Sequence, residues 1–275
     1  MFLINGLFSE SVPVHDRGLQ YGDGLFETLA MVDGSPLCWE AHYQRLQDGC
    51  ERLGISCPSM ELLRSEIDRL PVDSSRHVVK IIVTAGQGGR GYGRPPEQHT
   101  AVTRILGLYP WPGYPHEHAA LGVKTKICAT RLGQNPQLAG LKHLNRLEQV
   151  LARSEWVSPE IAEGLMLDTQ GSVIEGTMSN LFCIKDDVLL TPDLSACGIA
   201  GIIRGCILDL ANRHKIPAKV CALTEVDLYK ADELFLCNSI IGIWPVRKVE
   251  ERIFTVGPRS HEIRQSLIRL GIIAA

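Results

Sequence analysis

Seven residues near the middle of the chain, Tyr109-Pro110-Trp111-Pro112-Gly113-Tyr114-Pro115, carry three prolines and a glycine. Proline fixes φ, lacks an amide donor and pushes the preceding residue toward extended backbone. A helix or an interior strand cannot run through such a stretch. The break divides 275 residues into parts near the ~150 residues usual for one domain. It sets an N-terminal domain over 1–109, a Pro-rich linker over 110–119 and a C-terminal domain over 120–275.

Hydrophobic spacing fills in the elements. Asn5-Gly6 and Asp33-Gly34 are hairpin turn signals between apolar runs. Tyr43, Leu46, Cys50 and Leu53 recur at helical spacing, so a helix is expected from about Glu40 to Leu53, ended by Gly54. A second helix is expected over Met60–Leu70, then strands over His77–Thr84 and Ala101–Leu108. Beyond the break, strands are expected over Gly122–Ala129, Glu163–Asp168, Ser172–Glu175 and Glu233–Cys237. A hairpin joins Asn180–Ile184 to Val188–Thr191, and a helix covers Gly201–His214. Leu144, Leu147, Val150 and Leu151 make one apolar face of a further helix. Hairpins mixed with separate helices point to an α+β (α/β mixed) fold, not regular βαβ alternation.

Composition narrows the function classes. A net charge of -3 gives no basic surface for nucleic acid or an anionic membrane. The longest apolar runs fall short of a membrane span, and the N-terminus lacks a signal-peptide pattern. Nine cysteines without a C-x-x-C pair argue against a disulfide framework or a zinc site, and for a reducing cytoplasm. His116 and His118 alone make a poor metal site, and no G-x-S-x-G or H-E-x-x-H motif occurs.

Several segments could carry chemistry. Lys142 follows Leu138-Ala139-Gly140-Leu141, where an amine can be held still and partly dried. A desolvated lysine has a lowered pKa and serves as a nucleophile toward carbonyls or as a proton carrier; otherwise it is a surface lysine at a helix start. Gly86-Gln87-Gly88-Gly89-Arg90-Gly91 matches G-x-G-x-x-G, but Pro95-Pro96 follow where a dinucleotide site needs a helix. The better reading is a loop carrying Arg90, Tyr92 and Arg94 toward an anionic substrate. Gly198-Ile199-Ala200-Gly201 leads into a helix whose first amides at Ile202 and Ile203 suit a phosphate. Glu175 stands at a strand end before Gly176-Thr177-Met178-Ser179-Asn180. Asn238 and Ser239 close another strand. Arg45 lies beside the apolar face of its helix.

Taken together, these segments resemble the fold-type IV pyridoxal-phosphate enzymes, the class-IV aminotransferase superfamily. Asp16-Arg17-Gly18 through Gly22-Asp23-Gly24-Leu25-Phe26-Glu27-Thr28 is similar to its N-terminal signature. Glu175 through Asn180-Leu181-Phe182 is similar to its E-G-x-x-x-N-L-F segment. Met1–Gly6, Gly88–Tyr92, and Arg131–Pro136 running on through Lys142-His143-Leu144-Asn145-Arg146-Leu147-Glu148-Gln149-Val150-Leu151 resemble its aminodeoxychorismate lyase branch. The resemblance implies a two-domain fold, with a smaller N-terminal α/β domain and a larger C-terminal domain holding a barrel-like sheet. It implies pyridoxal 5'-phosphate as cofactor and a homodimer in the cytoplasm. Lys142 would tether the cofactor and act as proton-transfer base, and Glu175 would pair with the pyridine nitrogen. Arg45, Ser239 and the backbone of Ile202 and Ile203 would hold the phosphate. Thr28, Arg90, Tyr92 and Asn238 would meet the substrate, with Phe26 lining the pocket. The implied reaction splits 4-amino-4-deoxychorismate, a substrate with two carboxylates, into 4-aminobenzoate and pyruvate in folate synthesis. A D-amino-acid or branched-chain aminotransferase is the alternative.

Overall fold

The computed structural model describes residues 1–73, 75–95 and 101–275; Pro96, used above against a dinucleotide site, lies outside them. The chain forms two compact units. One comprises Met1–Pro112 with Leu141–Asn145, the other Gly113–Gly140 with Arg146–Ala275. The fold is α+β in each, as expected.

The N-terminal unit contains β1 (Phe2–Ile4), β2 (Leu7–Phe8), α1 (Arg17–Tyr21), β3 (Gly24–Val32), β4 (Ser35–Pro36), α2 (Trp39–Leu53), α3 (Met60–Ile67), β5 (His77–Thr84) and β6 (Thr103–Pro110). Its six strands form one antiparallel sheet in the order β2-β1-β6-β5-β3-β4. The period-2 alternation of β3 turns Leu25, Glu27 and Leu29 to the buried face, where α2 packs. Phe26 and Thr28 point to the other face. α2 presents Tyr43, Leu46 and Cys50 inward, as its spacing predicts, and Gly54 caps it in the left-handed region. α3 stops three residues short of the expected Leu70, which turns back to bond its N–H to the Ile67 carbonyl ahead of Pro71. β6 starts and ends two residues later than expected. Pro110 fits its end because it needs no ladder donor there.

The C-terminal unit contains α4 (Glu117–Leu121), β7 (Val123–Ile127), α5 (Leu147–Arg153), β8 (Ile161–Leu167), β9 (Val173–Gly176), β10 (Asn180–Lys185), β11 (Val188–Pro192), α6 (Ile202–Arg213), β12 (Ala218–Cys221), α7 (Glu225–Lys230), β13 (Glu233–Asn238), β14 (Gly242–Val249), β15 (Arg252–Ile253) and α8 (Pro258–Arg269). Eight strands run in the order β12-β11-β10-β13-β14-β7-β8-β9, and β15 pairs with β14. The sheet is mixed: β7 is parallel to both β14 and β8. The far strand β9 comes back against β10 and β11, and Val173 N–H bonds to the Leu223 carbonyl, so the sheet curls on itself like a barrel. One side carries Phe182 stacked on Phe235 with Ile203, Ile207 and Leu267 from α6 and α8.

Two expectations fail around Lys142. The helix expected after it forms, but it starts only at Leu147 and leaves Leu144 out. The apolar face of α5 is also not core: Leu147, Val150 and Leu151 are exposed, while Gln149 and Ala152 turn inward. α5 is short and contacts β8 through its Ala152 edge, so the leucine edge has no layer of its own unit to cover it.

Candidate active site

In the N-terminal unit, Lys142 is presented by a strand-like segment, not a helix. Phe26 N–H donates to the Lys142 carbonyl at 2.9 Å and Leu144 N–H to the Gly24 carbonyl at 3.0 Å. His143 thereby bridges Leu25 in antiparallel fashion on the edge of β3. Asn145 Nδ2 adds a bond to the Gly22 carbonyl at 3.3 Å. Gly22 has a φ of +65°, and a Cβ there would stand 2.3 Å from Asn145 Oδ1, so only glycine lets the segment close in. In this register Lys142 lies opposite Phe26, and cross-strand partners share a face. The half-buried Lys142 Nζ accordingly sits 4.3 Å from the centre of the Phe26 ring.

Lys80 joins them. It pairs across the sheet with Thr28, and its Nζ lies 4.8 Å from the same ring. Burial pulls its ammonium below the ordinary lysine range. Thr28, Phe26, Lys80 and Lys142 therefore share one face of the sheet. Lys80 was missed in the sequence, although a lone charge inside His77-Val78-Val79-Lys80-Ile81-Ile82-Val83-Thr84 was the available signal.

Arg45 reaches β3 from α2. Its Nε donates to Glu27 Oε1 at 2.8 Å and one Nη to Oε2 at 2.6 Å, a bidentate pair. His42 Nδ1 lies 2.6 Å from the same Oε2. Burial pushes Glu27 upward, but the Arg45 charge and the hydrogen bonds from His42 and Arg45 outweigh it, bringing its pKa to about 2. Burial holds the His42 imidazole below its ordinary range, with Arg45 and Lys142 adding to the effect against Glu27. Glu27 and His42 escaped the sequence reading too, although Glu27 breaks an otherwise apolar period-2 face.

Arg90 and Tyr92 stand in an exposed loop, and no helix starts between Gly91 and Pro95. The loop is pinned from below by buried Arg17, whose guanidinium donates to the carbonyls of Gly91, Tyr92 and Gly93 at 3.2, 2.8 and 3.3 Å. The Tyr92 ring meets Tyr21 edge-on at 5.5 Å. Arg94 departs from expectation. It binds Asp23 through two nitrogens and reaches the Leu53 and Gly54 carbonyls, so its charge is spent on anchoring the loop and is not offered to a substrate.

In the C-terminal unit, Glu175 is buried in β9. Its Oε2 accepts from Ile199 N–H at 2.9 Å and from Asn180 Nδ2 at 3.4 Å. Asn180 Nδ2 also donates to the Ile199 carbonyl at 2.9 Å, which ties Glu175 to the turn before α6. Gly140 pairs with the same turn: its N–H reaches the Gly198 carbonyl at 2.9 Å and its carbonyl takes Ala200 N–H at 3.1 Å. A Cβ at Gly201 would stand 2.0 Å from Asn180 Oδ1. α6 starts at Ile202 without a side-chain cap, and Ile203 plants its side chain in the core. Asn238 Oδ1 accepts from Ile240 and Ile241 N–H, each at 2.8 Å, and its Nδ2 donates to the Met178 carbonyl at 2.9 Å. Its amide thus shapes the turn that carries Ser239. Glu163, also unremarked in the sequence, is buried and braces the 177–179 loop through Thr177 and Ser179; burial raises its pKa against those bonds.

The amino-transferase class IV family pattern matches residues 24–249. An aminodeoxychorismate lyase of Vibrio harveyi is 35% identical over 97% of this chain and 99% of that protein. A branched-chain-amino-acid aminotransferase of Salmonella typhimurium is 30% identical over 87% of this chain and 80% of that protein. The crystal structure of 4-amino-4-deoxychorismate lyase from Pseudomonas aeruginosa superposes with a TM-score of 0.93 at 45% identity, covering 98% of each chain. With its fold, its Lys142 rung on β3 and its Glu175 turn, the chain belongs to the aminotransferase class IV family, the pyridoxal-phosphate enzymes of fold type IV.

Proposed function

We propose that this protein is a lyase that converts 4-amino-4-deoxychorismate to 4-aminobenzoate and pyruvate. The observation that carries this is the Lys142 face of the N-terminal sheet, taken with the full-length likeness to aminodeoxychorismate lyases. A half-buried amine beside an aromatic ring is suited to an aldehyde, and Lys80 beside it gives that face a second cation. A substrate with two carboxylates needs such cations, and Arg90 is another candidate. The residues also fit pyridoxal phosphate. An uncapped α6, twelve residues long, leaves its first amides for a phosphate, and Glu175 is a buried carboxylate for a pyridinium nitrogen.

When bound, the cofactor supplies an electron sink for charge developing on the substrate. Lys142 Nζ would carry it, and as a free amine Lys142 would take the proton from the amine-bearing carbon of the substrate. Glu175 keeps the proton on the ring nitrogen. Ser239, Arg45 and the amides of Ile202 and Ile203 hold the phosphate, and Glu27 fixes the fork of Arg45. Lys80, Arg90 and Tyr92 orient the carboxylates, with Asn238 and Thr28 lining the site. Cleavage of the neighbouring ether releases the enol of pyruvate, and aromatisation of the ring drives the step. We assign the protein a cytoplasmic homodimer; nine cysteines outside any disulfide fit a reducing compartment, and among the described residues no helix is long and apolar enough to cross a membrane.

The test is pyruvate release from 4-amino-4-deoxychorismate by the cofactor-loaded protein, with 4-aminobenzoate appearing in equal amount. Lys142→Ala should lower turnover by at least ~100-fold, the lower end of what a positioned base contributes, and lose the borohydride-fixed adduct. No pyruvate from fully loaded protein overturns the assignment. The likeness to branched-chain aminotransferases supports a second reading. Conversion of the cofactor to its amine form by a branched-chain or D-amino acid, without lyase activity, would decide for it.

A further inference from the structure

Most cysteines here are small side chains within apolar clusters, but Cys50 and Cys57 are arranged as a pair. α2 ends at Gly54, whose φ of +61° turns the chain back. Ile55 N–H closes on the Cys50 carbonyl at 2.8 Å. Residues 55–58 then return along the helix face of Tyr43, Leu46 and Cys50, where Tyr43 Oη donates to the Pro58 carbonyl at 3.1 Å. This reversal lays Cys57 back beside Cys50, where the two thiols interact. Cys57 Sγ also lies 3.5 Å from the Pro58 carbonyl oxygen. Cys50 is fully buried, whereas Cys57 is partly open to solvent.

We propose that Cys50 and Cys57 are a redox-active dithiol that peroxides convert to an intramolecular disulfide. Cys57, the accessible sulfur, attacks hydrogen peroxide as a thiolate, breaking the O–O bond. It becomes a sulfenic acid, and hydroxide leaves to be protonated to water. The Cys50 thiol gives up its proton and attacks the Cys57 sulfur; the S–S bond forms and the sulfenic oxygen departs as water. Two thiols lose two electrons and two protons in all, and one peroxide is reduced to two waters. The order of attack follows from the contact. The hydrogen bond from Cys50 holds the Cys57 thiol below the usual range, while that same bond and burial push Cys50 up. The closed ring would enclose Leu53 and Gly54, whose carbonyls anchor Arg94, and Arg94 in turn grips Asp23 beneath the 86–95 loop. Oxidation is therefore felt at that loop as well as at the helix end.

The full-length reduced protein is treated with one equivalent of hydrogen peroxide, free thiols are alkylated, and peptides are mapped by mass. A Cys50–Cys57 cross-linked peptide, lighter by two hydrogens and restored by dithiothreitol, is expected before Cys38, Cys206 or Cys221 reacts. Cys50→Ser should strand Cys57 as a sulfenic acid trapped by dimedone. Cys57→Ser should leave Cys50 untouched. Wild-type protein in which Cys57 stops at the sulfenic acid, or reacts no faster than the other partly exposed cysteines, overturns the proposal.

Discussion

At the scale of single residues, the Phe26 ring is where two lysines meet. An aromatic face accepts a cation at ~0.5–1 kcal/mol when exposed and more when dried. That is too little to hold an ammonium out of water by itself, and among the described residues no carboxylate pairs with Lys80, so its charge calls for an anion. In the proposed lyase the anion is a substrate carboxylate. A hydrogen bond to a charged group contributes about 1.5–3 kcal/mol. Lys80→Met, which keeps the stem and removes the charge, should therefore raise KM about tenfold or more, by the usual conversion of 1.4 kcal/mol per decade. The pH dependence has a definite sign. Burial lowers the Lys80 pKa from 10.5, so the charge is lost as pH rises before an ordinary lysine would lose it. Wild-type KM should climb in that alkaline limb and the methionine variant should not; parallel profiles would show that Lys80 does not meet the substrate. Lys142 was legible in Leu138-Ala139-Gly140-Leu141-Lys142-His143 because apolar residues and glycine crowd a lysine there. Lys80 was not, because its face depends on the register between β3 and β5, which no local pattern states.

At the scale of elements, Glu27 is the clasp between β3 and α2. Glu27 and Arg45 make a buried ion pair, and removing one partner of such a pair costs about 3–5 kcal/mol because the other charge is left desolvated. Glu27→Gln should accordingly lower urea-unfolding stability by about 3 kcal/mol at neutral pH. The folded-state pKa of Glu27 is about 2 against 4.5 for an ordinary glutamate. A depressed carboxylate contributes stability above its unfolded pKa and loses it as pH falls through the folded value. Wild-type stability should thus fall between about pH 4.5 and 2, with Glu155, likewise near 2, acting in the same window. The glutamine variant should fall less steeply there, and an unchanged slope would mean that Glu27 is not the titrating clasp. Element types followed well from periodicity: α2, α6, β5 and the β10–β11 hairpin form as their spacing predicts. The Lys142 segment misled because its apolar residues fit a helix equally well. Its hydrogen bonds instead go sideways to Gly24 and Phe26, a non-local choice that outweighs local propensity.

At the scale of the whole molecule, the α+β class was readable, but the order of the large sheet was not. The parallel pairing of β7 with β14 joins strands far apart in sequence, and chain order gives no hint of it. The same gap hid the fate of α5. Its Leu147, Val150 and Leu151 read as core, yet they are 76, 57 and 60% exposed. Residues spaced i, i+3 and i+4 fall on one helix face, so these three make a continuous apolar stripe, unlike the scattered exposed leucines of ordinary surfaces. Fully burying a leucine or valine is worth about 1.5–3 kcal/mol, and a second copy of the chain offers the same stripe in return, as twofold symmetry requires. If the stripe is the dimer contact, two carboxylates placed in it should separate the copies without harming the fold. Leu147→Glu with Leu151→Glu should sediment as a monomer at micromolar concentration with its far-ultraviolet circular dichroism intact, while the wild type sediments as a dimer. A monomeric wild type would remove the homodimer from the proposed function. A double variant that stays dimeric would move the contact away from α5.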